Sequence, residues 1–134
     1  MKLLFKKLLS LHEDGAVCYF LILDEQFTIL LDCGINHSFD FSKYRQVAAE
    51  LSNVQLVLIS HSTLEYSGAY PFLISEMGLS PKIFYTTQPI MRYCPLNIHE
   101  EILNLRLPNY NKKIFNKIYT YFEEMQLLKP YQKK

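Results

Sequence analysis

A chain of 134 residues gives room for one domain with a sizeable core. Its 49% apolar and 14% aromatic content excludes a disordered chain, and a net charge of +1 excludes a strong overall field. Cysteines at 18, 33 and 94 are odd in number and lack zinc spacing, which suits small core residues in a reducing compartment.

The amino terminus, Met1-Lys-Leu-Leu-Phe-Lys-Lys-Leu-Leu, has its apolar run broken by Lys6 and Lys7, and no small-residue cleavage site follows. No stretch reaches the ~18 apolar residues of a membrane span. The expectation is a soluble, intracellular chain. Residues 2–11 read as a first strand, although Leu-rich runs also suit helices, and His12 to Gly15 as a polar turn. Ala16–Leu23 and Phe27–Leu31 are apolar strands joined by the short connection Asp24-Glu25-Gln26. Asp32-Cys33-Gly34 closes the second, where an Asp commonly accepts backbone N–H bonds.

Ser42 is a candidate N-cap for a helix with Tyr44, Val47, Ala48 and Leu51 at i, i+3, i+4 and i+7. Val54 to Ser60 has the β-branched and aliphatic content of a buried strand. After it come the loop His61-Ser-Thr-Leu-Glu-Tyr-Ser-Gly68 and a helix over Ser67–Met77, with Ala69, Phe72, Leu73 and Met77 at helical spacing and Gly78 as the stop. A loop between a strand's carboxyl end and a helix is a usual place for chemistry in α/β proteins. Lys82–Thr86 is a further strand. Thr87–Leu105 is helical after Pro89, with a break expected at Pro95. Pro108-Asn109 reads as a turn. A last helix over Lys112–Leu128 repeats Phe115, Ile118, Phe122 and Met125 along one stripe, which suits core packing. No internal repeat or interdomain linker is visible.

Charge is unevenly placed. From Arg106 onward seven Lys/Arg against two Glu give +5, and the preceding seven basic and eleven acidic residues give −4. A basic tail can meet RNA or an acidic partner, though a solvated helix face is the commoner meaning. His12, His37 and His99 are isolated and read as surface or capping residues. Ser60, Ser62 and Thr63 adjoin His61, but only Glu65 is locally present as an orienting acid, and no Gly-x-Ser-x-Gly elbow exists. Four glycines form no nucleotide-binding loop. Tyr66, Tyr70, Tyr85 and Tyr93 are able to stack on bases, although aromatic packing is the commoner use.

The strand, the His-led loop and the small-residue helix start resemble the metallo-β-lactamase fold. In that family the loop reads His-x-His-x-Asp-His and binds two zinc ions. On this chain those positions are His61, Thr63, Glu65 and Tyr66. A neutral hydroxyl is a poor zinc ligand, and a phenol of pKa ~10 rarely offers its anion near neutrality. The motif is therefore degenerate, and no metal or other cofactor is expected. Asp32 matches the family's Asp-x-Gly, which implies bracing of the loop from behind rather than ligation.

Three stretches narrow the resemblance. Ala16-Val-Cys-Tyr-Phe-Leu-Ile-Leu-Asp-Glu with Leu30-Leu-Asp-Cys-Gly34, then Leu58-Ile-Ser-His61 with Gly68-Ala-Tyr-Pro-Phe-Leu73, then Ile83-Phe-Tyr-Thr-Thr-Gln-Pro-Ile90 are similar to the non-catalytic subunits of the cleavage and polyadenylation specificity factor. Phe115 to Gln132 is similar to a helix and approach segment of the same proteins. The resemblance implies an α/β fold, the N-terminal half of an αββα metallo-β-lactamase sandwich spanning residues 1–134, with one apolar face and one strand edge uncovered. It further implies a nuclear, RNA-proximal scaffold for pre-mRNA cleavage and polyadenylation, not itself an enzyme. Its partners would be a catalytic paralogue endonuclease, other subunits of the factor and the pre-mRNA, with no membrane. The alternatives are a divergent metal-dependent hydrolase using His61, Glu65 and Asp32, and the analogous silent subunit of the Integrator complex.

Overall fold

The computed structural model of the chain describes residues 1–81, 83–105 and 112–127, with side chains for all of these except residues 105, 112–116 and 126–127. The elements in order are β1 (Leu3–Leu9), α1 (Leu11–Asp14), β2 (Cys18–Leu23), β3 (Phe27–Leu31), α2 (Ser42–Gln46), α3 (Ala48–Ser52), β4 (Val54–Leu58), α4 (Leu64–Ser67), α5 (Tyr70–Glu76), β5 (Ile83–Thr86), α6 (Gln88–Leu105), α7 (Lys112–Glu123) and β6 (Gln126–Leu127). The strands form one sheet in sequence order. The first three pair antiparallel and the rest run parallel to β3. This is the mixed α/β sheet expected of a partial metallo-β-lactamase domain.

The β2–β3 hairpin turns through the three residues Asp24-Glu25-Gln26, with Asp24 and Glu25 at positive φ (52° and 61°) and the Gln26 N–H bonded to the Leu23 carbonyl. Parallel pairing of β3 with β4, and of β4 with β5, needs crossovers, and the helices supply them. Because side chains alternate along a strand, the register sorts them into two rows. Phe20, Leu30, Val57 and Phe84 are cross-strand neighbours on one face. That face carries the core: Phe20, Leu30 and Val57 are fully buried with Tyr44, Leu51, Tyr70, Leu73, Ile98, Ile118 and Phe122 from the helices. Tyr70 sets its ring against Phe84 at 5.8 Å and Phe122 at 5.1 Å between centroids.

The opposite face holds a second row, Phe5, Leu21, Ile29, Leu56 and Ile83. None of these belongs to the core cluster or packs against it. The free edge is β1, where Leu3, Leu4 and Phe5 are all more than half exposed. Among the described residues, then, one apolar face of the sheet is uncovered and β1 is an outer strand.

Four local expectations are corrected. His12 to Gly15 is not an open turn; Ser10 Oγ accepts from the Glu13 N–H and Gly15 takes φ 69°, closing the single helical turn α1. Ser42 lies inside α2 rather than capping it, because the Asp40 carboxylate accepts the Ser42 N–H at 3.0 Å. The expected single helix divides at Val47, whose N–H bonds back to the Tyr44 carbonyl in a tightened turn. Tyr44 and Leu51 are buried as predicted, but Ala48 is exposed. Pro95 does not break α6, which runs through it. A proline costs one backbone bond and crowds the preceding turn, and here the helix is held by packing on α4 and α7. The predicted turn at Pro108-Asn109, Lys82, the side chain of Phe115 and most of the basic tail lie outside the described residues.

Candidate functional site

The five residues singled out by sequence cluster where β3 and β4 end side by side. Leu31 pairs with Leu58, so Asp32 and Ser60 emerge together at the carboxyl ends of neighbouring parallel strands. Asp32 sits at φ 60°, a left-handed conformation uncommon for a residue with a side chain, and is 9% exposed. Its N–H donates to the Leu58 carbonyl at 2.8 Å. Its two carboxylate oxygens accept from the Ser60 N–H and the Ser60 hydroxyl, both at 2.7 Å. Burial raises the Asp32 carboxyl above its ordinary range, opposed by those two hydrogen bonds.

Ser60 Oγ is also 2.8 Å from Nδ1 of His61. A hydroxyl has one proton, and giving it to the carboxylate leaves Ser60 to accept from Nδ1–H. The Asp32–Ser60–His61 chain therefore favours the His61 tautomer with a lone pair on Nε2. The His61 ring lies over Tyr66 with centroids 4.2 Å apart. From α6, the Cys94 thiol approaches the His61 carbonyl at 4.0 Å, and Asn97 Nδ2 donates to the Ser62 carbonyl at 2.7 Å.

Thr63 precedes α4 as its N-cap, but its side chain makes no capping bond; its carbonyl accepts from the N–H groups of Tyr66 and Ser67. Glu65 is half-buried and turns away from His61 toward His37, with 3.4 Å between Oε1 and Nε2. The other nitrogen of His37, Nδ1, is 2.9 Å from Glu101 of α6. His37 is thus an electrostatic link between α4 and α6, not the isolated surface residue its sequence context suggests. His99 likewise packs its ring against Tyr119, while His12 is exposed in α1. Tyr70 is fully buried and so not available for base stacking, whereas Tyr93 is exposed.

The loop is laced to Asp32-Cys33-Gly34 through the backbone. Val17 N–H donates to the Glu65 carbonyl, Cys33 N–H to that of Tyr66, Ile35 N–H to that of Leu64, and Ala69 N–H to that of Cys33. The three thiols lie buried and unpaired, and burial pushes Cys18 and Cys94 up to about 12, so they are packing groups. Two residues that the sequence reading named but gave no part in the site, Ser60 and His37, organise it. Ser60 was findable, since it and Asp32 follow adjacent strands. His37 gave no local signal.

A mixed sheet with helices on one face and a His-led loop at its carboxyl ends defines a metallo-β-lactamase-fold protein. Residues 20–134 match the metallo-beta-lactamase superfamily domain, and the chain belongs to that superfamily. Within it, the chain is similar to subunit 2 of the cleavage and polyadenylation specificity factor. It is 27% identical over 118 residues to the probable subunit 2 of Caenorhabditis elegans, covering 87% of this chain and 14% of that protein. With subunit 2 of Oryza sativa subsp. japonica it shares 32% identity over 95 residues, 71% of this chain and 13% of that one. Integrator complex subunit 11 of Danio rerio is 32% identical over 79 residues, 54% of this chain and 13% of its own. Among solved structures, a subclass B3 metallo-beta-lactamase of Bradyrhizobium japonicum aligns with 57% of this chain and 28% of its own at 17% identity and a TM-score of 0.43. The chain spans 14% and 13% of the length of the first two relatives.

The fold family implies two zinc ions, and the residues present do not fit them. Thr63 and Tyr66 offer hydroxyls. Glu65 faces His37, and both oxygens of Asp32 accept from Ser60. Among the described residues no group of three or more His, Cys, Asp and Glu converges to hold a metal ion. No described helix is long and apolar enough to cross a membrane.

Proposed function

We propose that residues 1–134 are the N-terminal portion of a metallo-β-lactamase-like domain serving as a non-catalytic scaffold in a cleavage and polyadenylation specificity factor complex. The complex acts in the nucleus on mRNA precursors, and this chain stands beside a catalytic paralogue endonuclease without cutting RNA itself. Membership of a multi-subunit processing complex is what the similarity to several subunit 2 relatives supports. The observation that carries the silent role is the loop itself. Thr63 and Tyr66 stand at metal-ligand positions, and the Glu65 carboxylate is directed to His37. Without a charge-stabilising ligand set, no metal hydroxide forms at neutral pH. Asp32 holds the loop through Ser60 rather than binding a cation.

Affinity purification of the tagged chain from nuclear extract tests this. Recovery of polyadenylation factor subunits supports the reading. Recovery of Integrator subunits instead moves the chain to that complex, to which the Danio rerio relative belongs by name. A second reading, a divergent metal-dependent hydrolase, is favoured by one feature, the exposed His61 Nε2 set by Asp32 and Ser60. Oxygen-rich ligation with Glu65 would suit Mg²⁺ or Mn²⁺. Stoichiometric metal in the purified protein, lost together with hydrolysis in Glu65→Ala, would establish that enzyme and remove the silent role.

A further inference from the structure

We draw no further inference here: the strongest candidate, the cavity between α1 and the 35–43 segment with Leu9, Ala16 and Ile35 in its lining, carries nothing, because its charged lining is an acidic cluster whose Asp14 and Glu13 are already paired with Lys43 and Lys7, and among the described residues no second observation points to a ligand for it.

Discussion

The α-carbon of Gly34 packs directly against the carbonyl of Glu65, so closely that a β-carbon there would sit 1.6 Å from that oxygen. This contact is what lets the Asp32-Cys33-Gly34 segment lie flat against the loop and exchange backbone bonds with it. Gly34→Ala must push the two segments apart, because backbone atoms cannot swing away as a side chain can. The expected loss is about 3 kcal/mol or more, the upper end of overpacking, measured by urea unfolding. Gly78→Ala is the control. Its φ of 75° strains an alanine, but nothing lies within 4 Å of the added methyl, so the cost is about 1–2 kcal/mol.

The hydrogen-bond direction from Asp32 to His61 can be reversed. Asp32 only accepts, so Ser60 gives it the hydroxyl proton and takes one from His61 Nδ1. Asp32→Asn retains one oxygen for the Ser60 N–H and presents an NH₂ to the hydroxyl. Ser60 then donates to His61 Nδ1, and the ring proton moves to Nε2. Nitrogen-15 NMR of the imidazole should report the Nδ1–H tautomer in the parent protein and the Nε2–H tautomer in the variant. An identical tautomer in both would show that Ser60 does not transmit the choice.

What could be read from sequence follows from the range of each interaction. The two hairpin strands, β4 and the buried set Ala69, Phe72, Leu73 and Met77 are repeated local patterns, and each lands where its period puts it. Pro95 was judged by a local rule that packing on α4 and α7 outweighs, whereas Ser42 is displaced from the cap by another local contact, the Asp40 carboxylate two residues before it. His37 was illegible because Glu101 lies 64 residues away and only the fold brings them together. The uncovered face was legible by count, since a sheet with helices on one side leaves the other bare. Its unbroken row required the register of four strand pairs.

His37 gives the fold a pH dependence of known sign. Its ring nitrogens face Glu101 and Glu65, and both can be served only when both carry protons. The hydrogen bond with Glu101 raises the His37 pKa above its ordinary value. A histidine raised on folding stabilises fully below its unfolded pKa of ~6.5, and that contribution disappears as pH rises through the folded value. Because His37 is 64% exposed, the effect is small. The thermal midpoint of the parent should exceed that of His37→Ala near pH 6, and the gap should close on the alkaline side. A gap that widens with pH would contradict the ion-pair geometry.

Two buried tyrosines make a matched pair for the same chemical change. Tyr44 donates its hydroxyl to the Gly34 carbonyl at 2.6 Å in a fully buried site. Tyr70 is equally buried, but its hydroxyl has no hydrogen-bond partner among the described residues. Removing a made bond strands the Gly34 carbonyl, so Tyr44→Phe should cost about 1–3 kcal/mol. Removing an unmade one relieves a desolvated polar atom, so Tyr70→Phe should be neutral or stabilising by up to ~1 kcal/mol. The shape of the ring is kept in both, which isolates the oxygen. Urea unfolding of the two variants beside the parent should therefore move the midpoint in opposite directions, or leave only Tyr70→Phe unmoved. Equal losses in both would mean that the Tyr70 hydroxyl is satisfied, for instance by a buried water.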